Sequence, residues 1–182
     1  MKKILIATIT IILGIYMCII FICTDLYIDY NLRKYSVYYV HNMEHKDGTH
    51  PELAMALENM DVIHKPNKKN IRYRDDGGFA IYNNFANGEQ VIINHDIEEQ
   101  KSCYIFFDVT YKSYYFDEAF RLEDGYDRLT GHGEIDAKTV DQKALYKDIY
   151  KNFGFIVEAN VNRKPLINMQ KEFNKKYYKR FN

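Results

Sequence analysis

The sequence predicts an α+β domain, with an antiparallel sheet of about four to six strands packed against two or three helices and preceded by one N-terminal transmembrane helix. Three observations carry that expectation. Residues 4–24 hold no charge, Asn87-Gly88 sits between the strand-like runs FAIYNNFA and EQVIINH, and both Thr49–Met60 and Val140–Phe153 place apolar residues at helical spacing. Periods of 3.6 and 2 therefore alternate along one chain of 182 residues, which points to helices packed on a sheet.

The run ILIATITIILGIYMCIIFICT, Ile4 to Thr24, is long enough as a helix to span roughly 31 Å at about 1.5 Å per residue. That matches a hydrocarbon core about 30 Å thick. Lys2 and Lys3 precede it while Asp25 and Asp29 follow, so the positive-inside tendency keeps the N-terminus cytoplasmic and the remainder extracytoplasmic, periplasmic or extracellular. The rival reading is a cleaved signal peptide that releases a secreted soluble protein, but no small-x-small site stands near residue 24. Bulky residues also precede Cys18 and Cys23, unlike a bacterial lipoprotein attachment site. The opening MKKILI and isoleucine-rich run resemble bacterial envelope proteins in style. The expected organisation is an anchor over 1–24, a membrane-proximal segment over 25–48 and an α+β domain over 49–182.

After the anchor, Tyr35–Val40 is rich in aromatic and β-branched residues and reads as a strand, with His41–Gly48 the loop that leaves it. Thr49 caps the next helix, with Pro51 in its first turn, Glu52 three residues on, and Leu53, Ala56, Leu57 and Met60 on one face. Residues 59–70 read as a loop around Pro66. Ile71–Arg74 is a short strand, turned by Asp76-Gly77-Gly78 into the hairpin centred on Asn87-Gly88.

Cys103–Lys112 alternates and reads as one strand, with Cys103, Ile105, Phe107, Val109 and Tyr111 on one face. Tyr114–Leu122 is read as another strand, and Gly125–Ala137 as a loop with short extended pieces. Val140–Phe153 is an amphipathic helix ended by Gly154, followed by a short buried strand at Phe155–Ala159. Phe173, Tyr177 and Phe181 then mark a last helix among lysines.

Composition bounds the function less tightly. With 17 Tyr, 11 Phe and no Trp spread along the chain, the composition is that of a folded domain. Formal net charge is zero, which gives no global field for nucleic acid, and none is expected as a partner. Cys103 is the one cysteine outside the apolar run, so the domain has no internal disulfide. The basic stretches Lys65–Arg74 and Lys171–Phe181 have anionic lipid of the cytoplasmic membrane as their available partner, or form solvated charged faces.

One stretch invites a catalytic reading. HNMEH, His41 to His45, has the letters of the H-x-x-E-H motif and so resembles the inverted zinc peptidases. The resemblance implies zinc held by His41 and His45, with Glu44 as general base and a later carboxylate such as Glu118 or Glu123 as third ligand. It requires a helix, because only there do positions i and i+4 face one metal. The alternative is a polar loop. Asp75-Asp76-Gly77-Gly78 lacks the Glu at position twelve that an EF-type calcium loop needs, and Gly131-His132-Gly133 reads as a flexible loop.

The expectation is accordingly a noncatalytic single-pass envelope protein that binds another protein, of immunity type or an accessory subunit, with no cofactor. A membrane-tethered zinc hydrolase is the alternative.

Overall fold

Aspartate-closed turns, more than strand propensity, decide where the sheet of this protein changes direction. The computed structural model describes residues 2–74, 78–94, 103–129 and 133–182. Three helices come first, α1 (Lys2–Lys34), α2 (Ser36–His41) and α3 (Pro51–Glu58). Seven strands follow: β1 (Ile71–Arg74), β2 (Ala80–Phe85), β3 (Gly88–Asn94), β4 (Tyr104–Phe107), β5 (Lys112–Phe116), β6 (Leu122–Asp127) and β7 (Gly133–Asp136). The chain closes with α4 (Gln142–Phe153), α5 (Phe155–Val161) and α6 (Gln170–Phe181). The strands form one antiparallel sheet in the order β1-β2-β3-β4-β5-β6-β7, so each pairs with its neighbour in sequence.

The architecture is α+β as expected, but the sheet has seven strands instead of four to six. The excess comes from β6 and β7, which run into the stretch read as a loop over Gly125–Ala137, while the strands read at Cys103–Lys112 and Tyr114–Leu122 each contain a turn and are shortened to β4 and β5. At Asp108, Oδ1 accepts the N–H groups of Thr110 (2.8 Å) and Lys112 (2.9 Å), which folds the expected Cys103–Lys112 strand into the β4–β5 hairpin. At Asp117, Oδ1 accepts those of Ala119 (2.9 Å) and Arg121 (2.8 Å), which breaks the expected Tyr114–Leu122 strand between β5 and β6. Each turn puts an aromatic residue at positive φ, Tyr111 at 64° and Phe120 at 58°. Bulky residues avoid that region, so the carboxylate's hydrogen bonds offset the cost. The Asn87-Gly88 hairpin is present, but Ala86 and Asn87 form its loop, and Gly88 takes the positive φ of 148° while pairing with Phe85. Of the turn expected at Asp76-Gly77-Gly78, only Gly78 lies within the described residues, as does only Gly133 of Gly131-His132-Gly133.

Among the described residues six helices, counting α1, replace the expected anchor plus two or three. Tyr35–Val40 is helical and not a strand, because Ser36, Val37, Tyr39 and Val40 are all buried among other helices. No strand edge is there to pair with, so the backbone has to satisfy its own hydrogen bonds. Phe155–Ala159 is likewise part of α5. Gly154 stays in the right-handed helical region, where a Cβ would lie 2.4 Å from the Tyr150 carbonyl, and lets α5 start directly after α4. Asn160 then fixes α5 to residue 64, its amide accepting from His64 N (2.9 Å) and donating to His64 O (2.8 Å). At α3, Thr49 is not the cap: its hydroxyl donates to the Lys46 carbonyl (2.7 Å), and Pro51 opens the helix after His50.

The helices lie on one face of the sheet. Ile81, Ile92, Tyr104, Phe106, Tyr114 and Phe116 point into the core shared with α2, α3, α4, α5 and α6. The segment expected to be membrane-proximal also supplies this core through Leu32, Val37, Tyr39, Val40 and Met43. Upstream, α1 leaves the domain, and Ile11, Leu13, Ile15, Tyr16, Met17, Ile19 and Ile20 are exposed. The side chains of residues 1–10, 12, 18, 21 and 22 lie outside the described set, and among the described residues no helix is long and apolar enough to cross a membrane.

The end of α6 is tied to the sheet by Arg180. Its guanidinium donates to the Glu118 carbonyl (2.6 Å), to Glu58 Oε2 (2.9 Å) and to the Tyr104 hydroxyl (2.7 Å), and that hydroxyl donates to Glu58. Arg180→Ala leaves a mostly buried carboxylate and a buried phenol without their cation, and is expected to cost about 3 kcal/mol. Arg180→Lys restores only part of this, since its compact ammonium lacks the planar span by which Nε and the two terminal nitrogens reach acceptors on three elements. Urea unfolding of the full chain in one detergent, followed by far-ultraviolet circular dichroism, measures both.

Candidate functional site

The HNMEH residues do not share a helix. Helix α2 stops at His41, Asn42 caps it, and the chain from residue 43 to 46 is irregular. His41 Nδ1 lies 3.1 Å from Glu52 Oε1 on α3, while His45 Nδ1 lies 3.2 Å from the Thr49 hydroxyl. Glu44 contributes its backbone, its carbonyl accepting from the Asn182 amide at 2.8 Å. The i, i+4 arrangement that an inverted zinc site requires is therefore not formed at these residues. His41 and Glu52 make a pair of donors, and among the described residues no group of three or more His, Cys, Asp or Glu is placed to hold a metal. Glu118, a suggested third ligand, meets Arg180 through its carbonyl in the β5–β6 turn.

His50 is the histidine that the fold uses. Its ring stacks on Tyr146 with centroids 3.8 Å apart, and its Nδ1 lies 3.3 Å from the Tyr150 hydroxyl. Burial is the main cause that lowers its pKa to about 4, with His45 acting in the same direction and Glu52 against it. Burial also raises the Tyr146 hydroxyl to about 12 and pushes Tyr150 up as well. At neutral pH this is an uncharged aromatic stack joining the start of α3 to α4, with no group poised for proton transfer.

The surface with the strongest binding character is the sheet face opposite the helices. Strand register aligns its side chains in two rows across the sheet. One row runs Arg72, Tyr82, Val91, Phe107, Ser113, Tyr126 and Glu134. The other passes through Ile93, Ile105 and Tyr115 to Asp124 and Asp136. The face thus grades from an arginine-bearing end at β1, where Arg72 pairs with Glu89 of β3 at 2.8 Å, through an apolar and aromatic centre, to a carboxylate end at β6–β7. Its centre dips into a concavity of about 350 Å³ floored by Tyr82, Val91, Ile93 and Phe107. The Arg128 guanidinium lies 4.2 Å over the Phe107 ring, and Arg72 lies 4.9 Å over that of Tyr82. At the acidic end, burial first and Glu134 second raise the Asp124 pKa.

Comparison with protein families, with curated proteins and with solved structures finds no match. What the chain does has to be argued from its own surfaces.

The flanks FAIYNNFA and EQVIINH made the β2–β3 hairpin visible in the sequence, but the unbroken run Val91-Ile92-Ile93 does not say which of its residues face the helices. The cross-strand rows were not visible, because they depend on the turns at Asp108 and Asp117. Cys103, beside the Arg180 cluster, has its thiol pushed up by burial and makes a poor nucleophile.

The buried stack makes stability pH-dependent in a defined direction. A folded pKa of about 4 against 6.5 unfolded means that the unfolded chain binds the extra proton between those values. Stability from this site is complete above pH 6.5 and declines as pH falls toward 4, by at most about 3 kcal/mol. His50→Phe, which keeps an aromatic ring against Tyr146, is expected to flatten the slope of unfolding free energy over this window. Urea titrations at a series of pH values test it.

Proposed function

We propose that the chain is a noncatalytic, single-pass protein of a bacterial envelope whose α+β domain, held outside the cytoplasm, binds another protein. The anchor is residues 4–24, uncharged throughout, with Lys2 and Lys3 on the cytoplasmic side and Asp25 and Asp29 on the other. Supporting this, α1 extends to Lys34, and its exposed apolar side chains are spread around the helix with no protein against them.

The observation that carries the binding reading is the sheet face turned away from the helices, where Tyr82, Val91, Ile93 and Phe107 are partly exposed around a concavity. Aliphatic and aromatic side chains in mid-sheet, with opposite charges at the two ends, suit a protein surface more than a small ligand: the apolar centre supplies affinity and the charged ends set orientation. The partner has an apolar ridge, cationic groups over Asp124, Glu134 and Asp136, and carboxylates toward Arg72 and Arg128. Such a partner fits a reading of the chain as an immunity protein or as an accessory subunit of an envelope assembly.

Photo-crosslinking of the full chain in its membrane tests the reading. A crosslinking residue replacing Val91 or Tyr115, on the open face, is expected to join one protein of defined mass, while one replacing Lys143, exposed on α4, is not. Phe107→Asp should lower the yield by about tenfold or more, as for the centre of an interface, without shifting the unfolding midpoint. Equal products from both faces, or none from the sheet face, would overturn the reading. A product of twice the chain's own mass would identify the partner as a second copy.

A further inference from the structure

We infer that the loop Arg163–Ile167 and the basic side of α6 form a second membrane-contacting surface, with Leu166 and Ile167 seated in the lipid interface and the neighbouring cations on anionic headgroups. This rests on the anchor reading of residues 4–24.

The first ground is exposure. Leu166 is 96 % exposed and Ile167 is 51 % exposed, two adjacent aliphatic side chains presented to solvent by a domain that buries Leu53, Leu57, Ile81 and Ile92 almost completely. Pro165 precedes them, and the segment between α5 and α6 is irregular, so the pair sits at the tip of a stiffened loop. Isolated exposed aliphatics need no explanation, but an adjacent pair beside a membrane exit does.

The second ground is position. The Ile167 carbonyl accepts from Asn31 Nδ2 at 3.4 Å and from the Tyr39 hydroxyl at 3.3 Å, which fixes the loop against the last two turns of α1. Seven residues separate Asn31 from Thr24, a rise of about 10 Å along the helix. The polar layer of one leaflet is about 5–7 Å thick, and transmembrane helices tilt by about 20° on average. A loop held at Asn31 is therefore attached about 3–5 Å beyond that layer, a gap that a lean toward the loop and the reach of the Leu166 and Ile167 side chains close. Tyr27 and Tyr30, exposed on α1 between these levels, are the amphipathic rings that suit this depth.

The third ground is charge. From residue 163 to 176 the sequence RKPLINMQKEFNKK contains Arg163, Lys164, Lys171, Lys175 and Lys176, against Glu172 alone. Lys176 Nζ lies 3.1 Å from Asp29 on α1, which brings the middle of α6 against the membrane-exit turns of α1 and neutralises one of the two acids, Asp25 and Asp29, that follow the apolar run. Aliphatic tips flanked by cations are the combination that binds an anionic interface.

The chain has no tryptophan, so one introduced indole reports its own surroundings. The full chain carrying Leu166→Trp, reconstituted in phosphatidylglycerol-rich vesicles, is expected to emit at shorter wavelength than in detergent-free buffer-exposed controls and to be quenched at least about twofold by lipids brominated near the headgroup. Leu129→Trp, exposed at the β6–β7 turn, serves as that control and should stay water-like and unquenched. In phosphatidylcholine alone the Leu166→Trp signal should weaken, and Lys171→Glu/Lys175→Glu should abolish the difference between the two lipids. Ile11→Trp separates the two readings. Quenching of Ile11→Trp by lipids brominated at the bilayer centre, with none at Leu166→Trp, sinks this inference and keeps the anchor. Failure at Ile11→Trp sinks both. Equal quenching of Leu166→Trp in both lipids removes the anionic preference and overturns the proposal as stated.

Discussion

Arg180 is the point at which the two ends of the chain and the sheet are made one body. Its guanidinium meets Glu58 of α3, Tyr104 of β4 and the Glu118 carbonyl of the β5–β6 turn, elements that share no direct connection in sequence. A planar fork with five donors spread over three nitrogens spans such a junction, whereas the three donors of an ammonium all radiate from one atom. At the other end of α6, Gln170 Nε2 donates to the Tyr39 carbonyl at 2.7 Å. Pinned at both ends, α6 can bury Phe173 and Phe181 fully, and Tyr39 packs on Phe173 at 5.4 Å between centroids. The carbonyl of Phe181 then accepts from Lys46 N at 2.8 Å, and Asn182 reaches Glu44. The HNMEH region is held by the C-terminus, so its letters carry structure where a helix would have carried metal chemistry.

The same bookkeeping of backbone groups explains which predicted strands survived. A strand persists where a neighbour supplies hydrogen bonds, and the sequential meander gives every strand of the sheet such a neighbour within a short loop. Ser36–His41 and Phe155–Val161 have strand-like compositions but lie in the helical layer, so β propensity yields to the need for internal pairing. What was legible beforehand was whatever local pattern alone decides: β1, the β2–β3 hairpin, the apolar face of α3, the body of α4, and α6, although α4 starts only at Gln142, capped by Asp141. What was illegible depended on tertiary context.

The two aspartate turns stand between these cases. DVTYK at 108–112 and DEAFR at 117–121 share an aspartate, an aromatic residue at the fourth position and a cation at the fifth. In each, the first residue's N–H also bonds the fifth residue's carbonyl at 3.0 Å. The pattern was present in the sequence, but alternation ran straight through both segments and masked it. Missing it shifted the strand boundaries, and with them the register of the sheet face opposite the helices. Only when Phe107 and Ser113 are recognised as cross-strand neighbours do Arg72, Val91, Phe107 and Glu134 fall into one row.

On the anchored reading, the join between helix and domain has a mechanical consequence. A tether of Gly and Ser would let the domain range over the surface. Here α1 runs to Lys34 and α2 begins at Ser36, with Tyr35 N bonded to the Asn31 carbonyl at 3.1 Å and Tyr39 N to the Tyr35 carbonyl at 2.9 Å. The Tyr39 hydroxyl donates to Asn31 Oδ1 at 2.6 Å, Arg33 pairs with Asp61, and Lys176 pairs with Asp29, so three separate elements grip the same two turns. Such a domain cannot swivel on its anchor without breaking buried contacts at Asn31 and Leu32. The sheet face would be presented at a set angle to the membrane, and a partner in the same membrane would meet it in one orientation. Orientation fixed in advance lowers the entropic cost of association, which lets a face of modest area bind selectively.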